Sequence, residues 1–244
     1  MNKPKMIVFD YGGTLCREPG HDFERGMRAA FEHVSNNPKG VTFEQYMELD
    51  NSIWVSCEAA RGVGVEAHQF QMMRLVNETL GLEFDVSMEE IEEITWTAAS
   101  AGEALPHVTE MLDYLNESGI RTGVVSNIGW SGGALSRRID RLLPNNKFEF
   151  VIASSEYAIR KPSPLLYGLA LSKAGLSAGE VWYCGDSYRA DVQGASGAGM
   201  FPVLYANESI GRSPWAESND GVDIEVEHLR IGDWLELVDI LKKM

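Results

Sequence analysis

Two clusters of carboxylate and glycine stand far apart in the chain: Asp10-Tyr11-Gly12-Gly13-Thr14, and Gly185-Asp186-Ser187 with Asp191 a few residues on. Between them lie Ser126-Asn127 and Lys161-Pro162. A carboxylate such as Asp10 can attack a phosphoryl group and split its transfer into two steps through an aspartyl phosphate. Because an anion then attacks an anion, neutralising charge is most of the catalytic problem. Lys161 supplies one positive charge and can restrain Asp10. Asp10 and Asp186 are oxygen donors suited to Mg²⁺, with the remaining octahedral positions left to a backbone carbonyl, waters and the phosphate. Ser126, Asn127 and neighbouring N–H groups can donate to phosphoryl oxygens, and Gly12 and Gly13 let the backbone approach a ligand as a Cβ would not. Taken singly each residue has an ordinary reading: Asp10 as a turn residue, Lys161 as a solvated lysine, Asp191 as a first-turn carboxylate favoured by the helix dipole. Packing alone does not explain why all of them stand at strand ends.

The elements that must hold these residues follow from periodicity. Met6 to Asp10 is a continuous apolar run ending at a carboxylate, as in a strand buried on both faces. From about Asp22 to Ala101 apolar residues recur at helical spacing with almost no strand-like segment. Phe23, Met27, Ala30, Phe31 and Val34 mark one helix, and Phe43, Met47, Ile53 and Trp54 a second one capped by Thr42. Two more are expected over Ala67 to Leu80, stopped by Gly81, and over Met88 to Ala98, opened by Ser87 with Glu90. Beyond Pro106, helices over 107–118, 135–143, 164–174 and 190–198 alternate with strands over 122–126, 150–153, 181–184 and 201–205. A closing helix is expected over 229–242. Such alternation predicts an α/β fold with a parallel sheet, helices on both faces and ligands at the carboxyl ends of its strands. The expected division is an α/β core over 1–17 and 104–244 with an inserted all-helical cap over 18–103.

Composition narrows the partners. With 21 Lys+Arg against 36 Asp+Glu, the net charge of −15 and pI of about 4.7 argue against a nucleic-acid binder, which needs a basic face. Cys16, Cys57 and Cys184 show no metal-ligand spacing, and a reducing cytoplasm is the expected setting. The five histidines form no zinc motif. The apolar run at Met6 to Phe9 is too short for a signal-peptide core, and nothing approaches the roughly 18 apolar residues of a membrane helix.

In this order, D-x-x-G-T at Asp10 to Thr14, Ser126, Lys161 and G-D-x-x-x-x-D over Gly185 to Asp191 resemble the motifs of the haloacid dehalogenase-like (HAD) superfamily. The similarity spans about residues 6 to 205, and the helical block matches the helical (C1-type) cap that the family inserts after its first motif. The resemblance implies a Rossmann-like core, Mg²⁺ dependence and Asp10 as nucleophile. It also implies that Asp10, the main-chain carbonyl of Gly12 and Asp186 ligate the metal, with Asp191 in or near the second shell. A small soluble phosphorylated metabolite is the expected substrate.

The chain departs from the family pattern at Gly12. Phosphatases of this family usually carry there a second aspartate, which protonates the leaving group and then activates water. A backbone carbonyl survives the change, but proton transfer, typically about 10²–10⁴-fold in rate, does not. Cys16, Glu18, His21 and Asp22 follow the motif as candidate substitutes, His21 having the most suitable ordinary pKa. Three functions therefore stand open. One is a Mg²⁺-dependent phosphatase, favoured on acyl or activated aryl phosphates. The second is a phosphometabolite-binding protein with little or no turnover. A third is phosphonatase-like or dehalogenase-like chemistry. Dehalogenases would not need Gly185-Asp186, and phosphonatases use a cap lysine, whereas the only lysine between Asp10 and Ser126 is Lys39, in a presumptive loop. Trp54 and Trp96 are expected to pack in the cap, with substrate selection as their alternative role.

Overall fold

The computed structural model describes residues 2–207 and 226–244. Met1 and residues 208–225, assigned above to the core segments, lie outside the described residues. Strand β1 (Met6–Phe9) is fully buried, as its unbroken apolar run requires, and short β2 (Cys16–Arg17) follows. Helix α1 (Phe23–Phe31) starts at Asp22, whose carboxylate accepts from the Arg25 N–H. Val34, expected on that helix, instead opens β3 (Val34–Asn36), because a later segment of the block returns to pair with it. Helix α2 (Phe43–Gly62) carries a capping box from Thr42 and Gln45, and α3 (Gln69–Leu80) ends at left-handed Gly81. Strand β4 (Glu83–Phe84) pairs antiparallel with β3, so the helical block does contain a small two-stranded ribbon. Helix α4 (Met88–Ala99) has the expected Ser87/Glu90 box. It packs closely on α1 because Gly26 has no side chain: a Cβ there would stand 2.3 Å from the Thr95 carbonyl oxygen. Strand β5 (Glu103–Ala104) then pairs antiparallel with β2, bringing the two ends of the block side by side.

The rest alternates as expected: α5 (Val108–Glu117), β6 (Arg121–Ser126), α6 (Gly132–Leu142), β7 (Phe148–Ala153), α7 (Pro164–Ala174) and β8 (Val181–Gly185). A wide π-helical turn over Tyr188–Gln193 and a four-residue α8 (Gly194–Gly197) occupy the place expected for one ordinary helix. Strand β9 (Phe201–Tyr205) follows. The closing helix is shorter than expected: Leu229–Ile231 forms strand β10 beside β9, and only after Gly232, with Asp233 as N-cap, does α9 (Trp234–Lys242) begin. Alternating apolar residues in Leu-Arg-Ile fit a sheet edge as well as a helix face, and the Gly-Asp pair is the local signal that separates them.

Six parallel strands stand in the order β10-β9-β8-β1-β6-β7. From β1 the chain runs outward through β6 and β7, then returns to the other side of β1 for β8, β9 and β10. Strand order therefore reverses between β1 and β8, and the crevice beyond their carboxyl ends is where ligands bind in such sheets. Both sheet faces are buried. Ile7, Phe9, Trp182 and Cys184 join one apolar cluster, while Met6, Val8, Val125 and Tyr183 join the other. Burial on both faces explains why these strands read as unbroken apolar runs.

Candidate active site

Asp10 follows β1 and Asp186 follows β8, so the two carboxylates flank the point of strand reversal. Ser126 ends β6, and Lys161 lies between β7 and α7. All four line one cavity of about 680 Å³ with Gly12, Gly13, Asn127 and Asp191. Carboxylate oxygens of Asp10, Asp186 and Asp191 lie within 4.8 Å of one another.

Lys161 binds this group together. Its Nζ donates to Asp10 Oδ1 at 2.7 Å, to Asp191 Oδ1 at 2.7 Å and to the Tyr183 hydroxyl at 2.8 Å. The Tyr183 hydroxyl donates its own hydrogen bond to the Val125 carbonyl at 2.8 Å, which leaves its oxygen as the acceptor for lysine. Asp191 uses its other oxygen to accept from the Ser187 N–H at 2.9 Å. Tyr183 was not singled out in the sequence because it reads as one more apolar residue of a buried strand. Its phenol has an accessible signal only in the third dimension.

Asn127, expected on the phosphate, lines the cavity and is also bonded to the lysine's own backbone. Its Oδ1 accepts from the Lys161 N–H at 2.7 Å and its Nδ2 donates to the Lys161 carbonyl at 3.0 Å. The carboxamide thus sets the backbone from which the lysine reaches the carboxylates. Gly13 has φ 81°, a left-handed conformation that glycine adopts without strain, and its N–H donates to the Cys16 carbonyl at 2.8 Å. Gly12 is not crowded: a Cβ there meets nothing within 4 Å.

Charge balance explains the titration behaviour. Burial alone would lower the Lys161 pKa, but Asp10 and Asp191 outweigh it and hold the ammonium protonated well above its ordinary range. Burial raises Asp10, with Asp191 adding to the rise and Lys161 opposing it. Asp186 is pushed up to about 8, first by burial and then by repulsion from Asp10 and Asp191. Three carboxylates facing one ammonium leave the cluster short of positive charge. That deficit and the hard oxygen donors of Asp10, Asp186 and Asp191 fit a divalent cation such as Mg²⁺.

The four candidate substitutes for the missing acid differ in setting. Cys16 is buried in β2, which pushes its thiol far up. Asp22 caps α1. Glu18 accepts from the Tyr11 hydroxyl at 3.0 Å and from both Nε and Nη2 of buried Arg138. His21 lines the cavity, its pKa lowered by partial burial. Lys39 donates to the Thr79 carbonyl on the surface and is not among the residues lining the cavity.

The far wall comes from the helical block. Asp50, Trp54 and Arg61 of α2, Gln69 of α3 and Trp96 of α4 all line the cavity. The Trp96 ring stacks on the Trp130 ring with centroids 5.0 Å apart and has the Arg138 guanidinium 4.3 Å from its own centroid, so it is held in packing. Trp54 has Arg61 over one face at 4.9 Å. The block is also tied to the strand-end loops: Gln69 N–H donates to the Gly129 carbonyl at 2.7 Å, and buried Glu92 accepts from the Ser131 N–H at 2.7 Å.

The family model described as haloacid dehalogenase-like hydrolase matches residues 4–199. A glyceraldehyde 3-phosphate phosphatase of Methanopyrus kandleri is 29% identical over 141 residues, a match spanning 57% of each chain and so little more than half of that relative. One of the same name from Methanocaldococcus jannaschii is 25% identical over 245 residues, covering 98% of each. In fold, the chain is similar to the crystal structure of a 2-haloacid dehalogenase from Pseudomonas syringae pv. Tomato DC3000. The TM-score is 0.61 at 19% identity, over 98% of this chain and 99% of that one.

Proposed function

The chain belongs to the haloacid dehalogenase-like hydrolases, and on that premise we propose that it is a Mg²⁺-dependent phosphatase for a small phosphorylated metabolite. The observation that carries the reading is the Lys161 ammonium held by Asp10 and Asp191 at the point of strand reversal, beside Asp186. Relatives named for phosphatase activity support it further.

In this reading the carboxylate of Asp10 attacks phosphorus and takes up the phosphoryl group as an aspartyl phosphate, which water then hydrolyses. Lys161 orients Asp10 and neutralises charge on the phosphoryl oxygens, and Ser126 donates a hydrogen bond to them. Asp191 and Tyr183 fix the lysine. Asp10, Asp186 and the Gly12 carbonyl would hold Mg²⁺, which would supply positive charge to the phosphoryl group. Residues 18–103 act as a cap over a core of 1–17 and 104–244, and the cavity between them gives the leaving group its room. Since Gly12 offers no proton, leaving groups that depart as stable anions are turned over fastest.

Gly12 also favours a second reading, a phosphometabolite-binding protein with little turnover. One experiment separates the two: hydrolysis of acetyl phosphate and p-nitrophenyl phosphate, with and without Mg²⁺, by wild type and Asp10→Asn. Mg²⁺-dependent turnover that Asp10→Asn abolishes supports the phosphatase. Absence of any Asp10-dependent turnover rejects it in favour of the binding protein.

A further inference from the structure

Two buried polar atoms on the far wall have no hydrogen-bond partner among the described residues. Asp50 of α2 is 2% exposed and its Oδ1 accepts no hydrogen bond, while Gln69 of α3 is 7% exposed and its Nε2 donates none. Buried polar groups in folded proteins are nearly always satisfied, so orphans that line a ligand cavity mark where a ligand completes the set. Asp50 and Gln69 both line the cavity that holds Asp10 and Lys161. Arg17, Arg61 and Arg160 line it as well, but each faces a carboxylate of the chain: Arg17 pairs with Glu103, and Arg61 and Arg160 both pair with Glu66.

From these contacts we infer that Asp50 and Gln69 form a recognition subsite for the leaving group, selecting phosphomonoesters that carry hydroxyl groups over those that carry a carboxylate. The inference rests on the reading of Asp10 and Lys161 as a phosphate site. An ionised carboxylate at position 50 accepts a hydrogen bond from a hydroxyl and repels another carboxylate. Gln69 Nε2 donates to an oxygen of the same leaving group, which a hydroxyl or carbonyl provides. Glu103 and Glu66 set two negative charges against the three arginines, and the ionised carboxylate of Asp50 offsets the third. A site built to hydrogen-bond a hydroxyl discriminates strongly against the analogue lacking it, because the buried group is then left orphaned.

The test uses phosphonates, which bind without being hydrolysed: 3,4-dihydroxybutylphosphonate, butylphosphonate and 3-phosphonopropionate, titrated calorimetrically with Mg²⁺ present into wild type, Asp50→Asn, Asp50→Leu and Gln69→Leu. Thermal melting checks that each variant folds. The expected result is that wild type binds the dihydroxy compound at least about tenfold more tightly than either other ligand. Asp50→Leu and Gln69→Leu shrink its advantage over butylphosphonate, and Asp50→Asn narrows the gap to phosphonopropionate. Equal binding of the three by wild type overturns the inference while leaving the phosphate site intact. So does a preference that the folded Asp50 variants retain, which is expected if Asp50 merely closes on the unpartnered hydroxyl of Tyr46, one turn earlier. Failure of all three phosphonates to bind rejects the phosphate site itself, and the subsite with it.

Discussion

A Cβ added at Gly185 would stand 2.2 Å from the Cγ of Asp191. The last residue of β8 is therefore glycine because the carboxylate that anchors Lys161 occupies the space a side chain would need. Gly185→Ala is expected to displace Asp191, at a stability cost of about 1–3 kcal/mol. Because Lys161 depends on Asp191, p-nitrophenyl phosphate turnover should fall by about tenfold or more. Denaturant melts and initial rates check both, and unchanged rates would mean that Asp191 does not position the lysine.

Lys161 is buried against two carboxylates. Lys161→Met removes the only cation they contact among the described residues, and losing one partner of a buried ion pair typically costs about 3–5 kcal/mol. The expected variant is destabilised by that order in urea unfolding at pH 7 and inactive. Its deficit should shrink as pH falls, because Asp10, which burial already shifts toward protonation, sheds its unpaired charge by taking up a proton.

Burial pushes the Asp50 carboxyl up to about 6 from an unfolded value of 3.8. A folded state that holds the proton more tightly than the unfolded chain is favoured at low pH. This contribution is complete below about pH 4 and is lost as pH rises through 6. The shift corresponds to on the order of 2–3 kcal/mol. Asp50→Asn should therefore match wild type in stability near pH 4 and exceed it at pH 8, as read from urea melts at the two pH values.

Open space around Gly12 makes a gain-of-function test feasible. Gly12→Asp should fold without steric penalty and raise turnover of an alkyl phosphate such as ethyl phosphate by about 10²–10⁴-fold. Acetyl phosphate, whose leaving group needs no proton, should respond far less. If wild type already hydrolyses ethyl phosphate rapidly, another acid is at work and His21 is the first residue to replace.

Metal binding should register without any substrate. A ligand that binds only the folded state at a hundred times its Kd stabilises by about 2.7 kcal/mol. Mg²⁺ is expected to raise the Tm of wild type, and Asp186→Asn should reduce that rise sharply. A full Mg²⁺ response in Asp186→Asn would remove Asp186 from the ligand set.

Much of this protein is determined by local sequence. Unbroken apolar runs specify strands buried on both faces, and Ser87 with Glu90, Thr42 and Gly81 mark helix ends by hydrogen bonds and φ values that only nearby residues govern. Asp10, Ser126, Lys161 and Asp186 were legible because chemistry-bearing residues at the carboxyl ends of parallel strands converge in any sheet of this topology. Distant pairing decided the rest. Leu229–Ile231 is a strand because β9 offers it an edge, and β3 is a strand because β4 returns beside it. Asn127 could equally serve a phosphate or a backbone, and only the approach of the loop carrying Lys161 assigned it to the backbone. Tyr183 and Asp50 gave no sequence signal at all. A strand tyrosine and a mid-helix aspartate acquire meaning only from which groups packing sets against them, and which it leaves without a partner.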